Sequence, residues 1–493
     1  MPATVGRRMD RLVQPSSPVR GGIFSRNVVR LGILAGAFVT AWYAIGAFGR
    51  PYNFFDMKIY HGAVVWWASG HDLYAYSAPD TGLGFTYPPF AGVLMLPMSK
   101  VPFGGAAWIN VVASLIALAV VMWALMGPIA RRYGWSRWFA VGLTVAAAAA
   151  TEPVRETLGY GQINLLLFLL IMADLVALRW RARTSAGFLP TGGSLVRFIR
   201  GGSWAGVGIG LAASIKLTPA LFVVYLIVTK QWRAAFTAMA TAVGVSAATF
   251  MVAGKDSAAY FLRVIWETER VGAADMTPNQ SLAGVLARLY DTTEAPTLLW
   301  MSFALLVFAL GLSRAARAHA DGDELTAFVL VGLTANVISP ISWSHHLVFV
   351  IPAILVLADA AMRRRDASRG LESGRRLTRR GLTPSAGMGG LAPLRTPIWF
   401  PALTGLRHAS AAVAVYLLFV ISPIWPYEHQ LPEFSHYEDG LWGALMENSL
   451  ALALIILVAT LPWRPGAEPA FYPERFRIDR RAIRQQQQQI HQR

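Results

Sequence analysis

Apolar residues run along this chain in long blocks divided by short polar or Pro- and Gly-containing breaks. An apolar block of about 20 residues spans a bilayer as a helix. The pattern predicts such helices over 31–49, 106–126, 138–151, 160–178, 234–253, 298–313, 325–340, 347–362, 402–425 and 441–461. Segment 204–229 is different, because Lys216 and Pro219 interrupt it. A single crossing there would put Lys230 and Arg233 on the outer side. Two short helices forming a hairpin keep them inside, and the backbone freed at the break must be buried or line a wet cavity. The expectation is an all-α polytopic membrane protein with about 12 transmembrane helices.

Two long segments, 50–104 and 254–297, lie between the blocks. In the first, Ile59, Ala63 and Trp66, with Tyr60, Val64 and Trp67, have the spacing of an amphipathic helix. It begins at Asp56 and is ended by Gly70. Trp66 and Trp67 suit a membrane interface, so the helix is expected to lie on the bilayer surface.

Composition agrees with a membrane protein. Of 493 residues, 55% are hydrophobic and only 14% charged, against roughly 25% charged in soluble domains. The absence of cysteine excludes disulfides, thiolate metal sites and cysteine nucleophiles. The net charge of +17 is concentrated: residues 1–30 carry +5, residues 363–397 carry +7 and residues 463–493 carry +4. Each basic segment borders an apolar block, so the positive-inside rule explains the surplus and nucleic acid is not an expected partner. Attraction to anionic inner-leaflet lipids is a secondary effect.

The charge pattern gives an organisation. Residues 1–30 form a cytoplasmic basic tail followed by a retained first helix, not a cleavable signal peptide. Residues 31–362 form a transmembrane core, 363–397 an Arg-rich cytoplasmic loop, 398–462 the last helices, and 463–493 a basic, low-complexity cytoplasmic tail. Both termini are then inside a plasma membrane, and 50–104, 254–297 and the acidic 426–440 are outside.

The polar residues near the outer ends are the candidates for chemistry. Asp56 opens the surface helix, and spacing alone favours a helix cap over a catalytic role. Phe85-Thr86-Tyr87-Pro88-Pro89-Phe90 reads as an extended interfacial turn. Gln162 and Asn164 sit at a helix start, where they either cap it or meet an anion or sugar. Glu152, Arg155 and Glu156 just before them form a possible ion-pair cluster. Lys216, deep in apolar sequence, is a functional-site hypothesis by default; it holds a phosphate or neutralises a buried carboxylate such as Asp174. His345 and His346 follow the Pro340 break and either bind phosphate, shuttle a proton or make interfacial hydrogen bonds. Adjacent helical residues point about 100° apart and no further ligands stand at metal spacing, so no metal is expected. No phosphate loop, haem or flavin signature occurs, and no cofactor is expected. Asp321-Gly322-Asp323 matches the short acidic pattern of metal-dependent nucleotide-sugar transferases, but it lies on the inner side and reads as a solvated loop and helix cap.

Taken in order, these motifs resemble a known family. Phe55-Asp56-Met57-Lys58-Ile59-Tyr60, Gly70-His71-Asp72-Leu73-Tyr74 and Phe85-Thr86-Tyr87-Pro88-Pro89-Phe90 are similar to the first outer loop of glycosyltransferase family 87. Gly161-Gln162-Ile163-Asn164, Lys216-Leu217-Thr218-Pro219, Asn279-Gln280-Ser281 and Ser339-Pro340 through His345-His346 follow in that family's order. The resemblance covers 31–362 well and the last two helices loosely; the Arg-rich insert and both tails fall outside it. It implies a GT-C-type fold and an actinobacterial polyprenyl-phosphate-mannose-dependent α-1,2-mannosyltransferase. The donor would be a polyprenyl-phosphate-linked sugar and the acceptor a membrane glycolipid, such as a phosphatidylinositol mannoside or a lipomannan-like chain. It further implies Asp56 as general base, which reverses the weight that spacing gave. His345, His346, Lys216 and Arg155 are then expected around the donor phosphate. Tyr60, Tyr87, Gln162, Asn164, Asn279 and Gln280 are expected to contact substrate. A different class, a secondary transporter or flippase, would use Lys216 and the histidines as a pathway. The broken helix fits it, but no internal repeat is evident.

Overall fold

The computed structural model describes residues 21–379 and 405–468, apart from residues 80, 186, 188, 189 and 191. Most of the three expected basic segments, namely 1–20, 380–397 and 469–493, lies outside the described residues. Among the described residues the only strand-like feature is one antiparallel bridge, between Asn279 and Trp343. Everything else is helix and loop.

The chain opens with α1 (Gly21–Phe48), then α2 (Phe55–Ala68) and α3 (Pro89–Met95) in the first long segment. Next come α4 (Phe103–Tyr133), α5 (Arg137–Ala149), α6 (Glu152–Tyr160), α7 (Asn164–Ser185) and the short α8 (Ser194–Arg200). Then follow α9 (Val207–Ile215), α10 (Leu221–Val228) and α11 (Trp232–Val252), with α12 (Gly254–Leu262) and α13 (Leu282–Leu289) in the second long segment. The remainder is α14 (Thr297–Ala320), α15 (Glu324–Ile338), α16 (Val350–Arg379), α17 (Leu406–Ile421), α18 (Gly440–Glu447) and α19 (Ser449–Thr460).

Every expected apolar block has a helix in its place. By length and apolarity, four described helices could cross a membrane: α1 from Arg26, α4, α11 and α14. Helices α18 and α19, bent by 60° at Asn448, would add a fifth if they form one broken span. Helices α5, α15 and α17 are shorter apolar rods. Helix α15 is buried all round from Glu324 to Val337 and forms the axis of the bundle. Helix α1 is the opposite case, with its apolar side chains exposed as a lipid-facing helix would have them.

Segment 204–229 does form a hairpin. Helix α9 runs parallel to α11, since a Cβ on Gly206 would stand 2.2 Å from Ala234 O and one on Gly210 2.5 Å from Ala238 O. The absence of side chains there lets the two backbones touch. Helix α9 ends at Lys216, whose backbone is extended (φ −149°, ψ 136°). Helix α10 then returns to the end from which α9 came, where Gln231 N donates to Leu226 O at 2.8 Å and the chain turns into α11. Asp174 does not pair with Lys216. Its carboxylate accepts from Ile209 N at 2.7 Å and so caps the start of α9.

With the hairpin counted as two passes, the long segments meet at one end of the bundle. Asp256 of the second accepts hydrogen bonds from Trp67 Nε1 (2.9 Å) and Leu73 N (2.8 Å) of the first. Arg270 Nη2 donates to Tyr74 O at 2.8 Å. Helix α2 buries Met57, Ile59, Tyr60, Ala63 and Val64. The apolar spacing read in the sequence is thus spent on protein packing.

The opposite end differs from its expected form. Asp323 does cap α15, accepting from Thr326 N at 3.2 Å, but it is not solvated. Arg464, from the segment read as the start of a tail, reaches back to Asp323 (2.6 Å) and Asp359 (2.9 Å). Glu468 pairs with Arg179 at 2.6 Å, and Trp463 Nε1 donates to Asp321 at 2.7 Å. Residues 463–468 therefore clasp the α14–α15 junction to α7 and α16.

Candidate active site

Asp56 stands in the first turn of α2, but it is not the cap. The capping position is Phe54, in the left-handed region at φ 52°, and no side chain caps the helix. Asn53 is left-handed too, at φ 50°. Two such residues in succession are strained conformations of about 1–3 kcal/mol each, found where the surroundings enforce them. Phe54 N is fixed by Gly159 O at 3.0 Å. The kink turns the start of α2 towards α6 and α7.

There Asp56 meets Gln162, which hydrogen-bonds its carboxyl. The Gln162 amide oxygen accepts from Tyr87 Oη at 3.0 Å, and Tyr87 Oη lies 2.8 Å from Tyr60 Oη. Asn110 Nδ2 of α4 donates to Gln162 O at 3.2 Å. Burial raises the Asp56 carboxyl to about 6, while the Gln162 hydrogen bond and the Lys216 charge pull the other way. The result is a carboxylate ionised at neutral pH and still basic enough to accept a proton.

Lys216, at the hairpin tip, reaches the same place from the other side. Its Nζ lies 2.8 Å from His346 Nε2, 3.3 Å from Asn164 Oδ1 and 5.3 Å from the centre of the Tyr87 ring. An ammonium only donates, so the His346 nitrogen facing it accepts and the ring is neutral. Burial, then the Lys216 charge, hold both imidazoles well below the usual histidine range.

The two histidines part company. His346 faces Lys216, whereas His345 lies against Tyr160, with ring centres 5.4 Å apart. Its backbone carbonyl accepts from Asn164 Nδ2 (3.0 Å) and Thr157 Oγ1 (3.3 Å). Its Nδ1 is 3.9 Å from Glu156, which also receives a hydrogen bond from Ser344 Oγ. Sequence reading missed this grip of α6 on the histidine loop, because the partners are 188 residues apart.

Other expected contacts are used differently. Arg155 is buried in an ion pair with Glu152 and donates to the carbonyls of Ala150 (2.9 Å) and Val420 (2.6 Å). Asn279 donates to Ala274 O and Pro340 O and accepts from Ser281 N and Ser342 N. Gln280 donates to Thr277 O and Glu447 O and accepts from Ala451 N. Both amides are wholly buried; Asn279 braces the loop that carries the histidines, and Gln280 ties the second long segment to the bend between α18 and α19. The structure therefore joins Asp56, Tyr60, Tyr87, Gln162, Asn164, Lys216 and His346 directly, with His345 beside them; it places Arg155, Asn279 and Gln280 behind them.

Below Lys216 lies a cavity of about 50 Å³ between α7, the hairpin and α15. Lys216, Asn164, His346, Asn336 and Ser342 supply its polar wall, and Phe168, Phe222 and Phe349 its apolar one. Asn336 is a contributor the sequence reading passed over, although an amide inside an apolar block is the same kind of signal as Lys216. Among the described residues no three His, Asp or Glu side chains are grouped as metal ligands.

Comparison with known proteins identifies the family. The sequence profile of glycosyltransferase family 87 matches residues 85–340. The chain is 30% identical over 426 residues to a Mycobacterium tuberculosis polyprenol-phosphate-mannose-dependent alpha-(1-2)-phosphatidylinositol mannoside mannosyltransferase, covering 82% of this chain and 93% of that one. The Mycolicibacterium smegmatis protein of the same description is 31% identical over 458 residues, with coverage of 88% and 89%. Among solved structures, ArnT from Cupriavidus metallidurans bound to undecaprenyl phosphate aligns over 90% of this chain and 78% of its own at 15% identity. Its TM-score of 0.33 is too low to carry an argument. The family match and the relatives are sufficient by themselves: this chain is a membrane glycosyltransferase and belongs to glycosyltransferase family 87.

Proposed function

We propose that this enzyme has a GT-C-type architecture and transfers a mannosyl residue from a polyprenyl-monophosphate donor to a membrane glycolipid. The acceptor class is a phosphatidylinositol mannoside or a related envelope lipoglycan, and the new linkage is α-1,2. The site faces outward and both termini face the cytoplasm. The basic segments support that orientation.

One observation carries the chemistry: Asp56, raised to about 6 by burial, shares one polar cluster with Lys216 and His346. In a single displacement Asp56 accepts the proton of an acceptor hydroxyl. That oxygen bonds to the anomeric carbon as the carbon–oxygen bond to phosphate breaks. The bonding pair leaves with the polyprenyl monophosphate, and a β-linked donor gives an α product. A base so placed contributes about 10²–10⁴-fold. Lys216, Asn164 and the neutral His346 face the leaving phosphate, where fixed donors act on developing charge. Glu156, Ser344 and Asn279 hold that wall in place.

The test is transfer of labelled mannose from polyprenyl-phosphomannose to defined phosphatidylinositol mannosides by the purified protein, with the product linkage read by α-mannosidase digestion and NMR. The expected result is an α-1,2-mannosylated glycolipid. Movement of label across vesicles without a glycolipid product would point to transport and defeat the proposal.

A further inference from the structure

The cavity below Lys216 has two unlike halves, and only one of them suits a phosphate. The apolar half is a cluster of three phenyl rings. Phe349 lies 5.2 Å from Phe168 and 5.6 Å from Phe222, centre to centre. Ile171 and Val348 complete it. These side chains are almost fully buried. Gly332 of α15 lets the Phe349 ring lie flat, since a Cβ there would stand 2.2 Å from the ring. The volume of about 50 Å³ would hold about four waters at roughly 10–15 Å³ each. A phenyl-lined floor gives water few of the partners it requires, so an apolar group fits better.

The sequence of groups across the site indicates which one. Lys216 is shared: it acts on Asp56 on one side and lines the cavity on the other. In the displacement proposed above, the atoms run from acceptor oxygen to anomeric carbon, bridging oxygen, phosphorus and then the first carbons of the lipid. With the proton acceptor at Asp56 and the phosphate at Lys216 and His346, the next group along that line is the root of the hydrocarbon chain. An exit lies alongside, because Leu217 at the hairpin tip is 45% exposed and Val224 and Val228 continue an outward apolar face.

We propose that the Phe168–Phe222–Phe349 cavity receives the first isoprene unit of the polyprenyl monophosphate, so that the enzyme recognises the branched lipid root as well as the charged headgroup. The inference rests on the donor reading above. A hydrophobic pocket distinguishes ligands that differ by one methyl or methylene by about 10–200-fold. An n-alkyl phosphate has no methyl branch to place there.

The experiment uses the purified full chain in lipid nanodiscs and two donors, mannose β-linked to a polyisoprenyl monophosphate and mannose β-linked to an n-alkyl monophosphate of equal carbon number. The expected result is a kcat/KM at least about tenfold higher for the isoprenyl donor, with sugar-free polyisoprenyl monophosphate inhibiting better than its n-alkyl counterpart. Ala335→Phe, which projects into the cavity, should lower isoprenyl kcat/KM about tenfold or more and spare the n-alkyl donor. Wild-type use of both donors within threefold would overturn the inference while leaving mannosyl transfer intact. An equal loss on both donors in a folded Ala335→Phe protein would also overturn it, by assigning the cavity to the sugar or the phosphate. Transfer from neither donor would defeat the mannosyl-transfer reading and this inference with it.

Discussion

Helices α7 and α15 each join two buried polar clusters, and the two clusters are built on opposite principles. At one end Arg464, Asp323, Asp359, Arg363 and Tyr133 form a closed set, in which Asp359 accepts from Tyr133 (3.0 Å), Arg363 (2.8 Å) and Arg464 (2.9 Å). Arg179 and Glu468 add a bidentate pair at 2.6 and 2.9 Å. At the other end, polar groups are left with capacity to spare. Glu156 Oε1, both ring nitrogens of His345 and Asn336 Oδ1 are buried with no hydrogen-bond partner. Asp56 and Lys216 face each other across neutral amides and phenols instead of closing into a pair. Buried charge is tolerated when it is paired, and unpaired polar groups are expensive. The first end spends its charges on holding helices together, and the second leaves polar groups uncommitted.

Mutations should separate the two ends, and the largest effect belongs to the base. Asp56→Asn should lower turnover by about 10²–10⁴-fold with no loss of melting temperature; a fall in stability equal to that of a clasp variant would erase the distinction. Arg464→Ala should do the reverse. Removing one partner from a buried pair costs about 3–5 kcal/mol, read as a lower thermal midpoint, while the protein that remains folded keeps its kcat. Lys216→Gln should reduce kcat by about 10²–10³-fold, the usual cost of losing one fixed donor at a developing charge, again without unfolding. The pH profile sharpens the comparison further. Asp56 must be ionised to accept a proton, and its value is about 6. As pH falls through that value the base is protonated, so kcat/KM should drop about tenfold per unit below it. A profile flat down to pH 5 would remove Asp56 from the role. Lys255→Ala serves as the control, because its 2.7 Å pair with Asp72 is exposed and should change neither turnover nor melting temperature measurably.

Helix positions were legible because apolar length is a local signal; the hairpin was legible only as one of two alternatives, since Lys216 and Pro219 mark a break in 204–229 without deciding between one crossing and a return. Asp56, Gln162, Asn164, Lys216 and His346 could be singled out for a similar reason: they are polar residues in or beside apolar sequence, and the fold brings them into one cluster. What stayed hidden depends on contacts between distant residues. Nothing local in Glu156 announces Ser344, and nothing in Asn279 announces that its amide is used up on Pro340 and Ser342. The ion pair of Arg155 with Glu152 was open to sequence reading as a local cluster, but the bond to Val420 O that completes its burial was not. The same holds for Asp323, correctly read as a cap but wrongly given to solvent.

The clasp also sets an order in time. Arg464 follows Asp323 by 141 residues and Asp359 by 105. While the chain emerges from the ribosome, α15 and α16 enter the bundle before the guanidinium that neutralises their carboxylates has been made. Until translation has passed Arg464, that end of the bundle holds an excess of buried negative charge, with Arg363 and Tyr133 as partial cover for Asp359 alone. A nascent chain stalled short of residue 464 would therefore carry a marker of incompleteness that a membrane quality-control protease could act on, and the finished chain would lose it when the last segment docks.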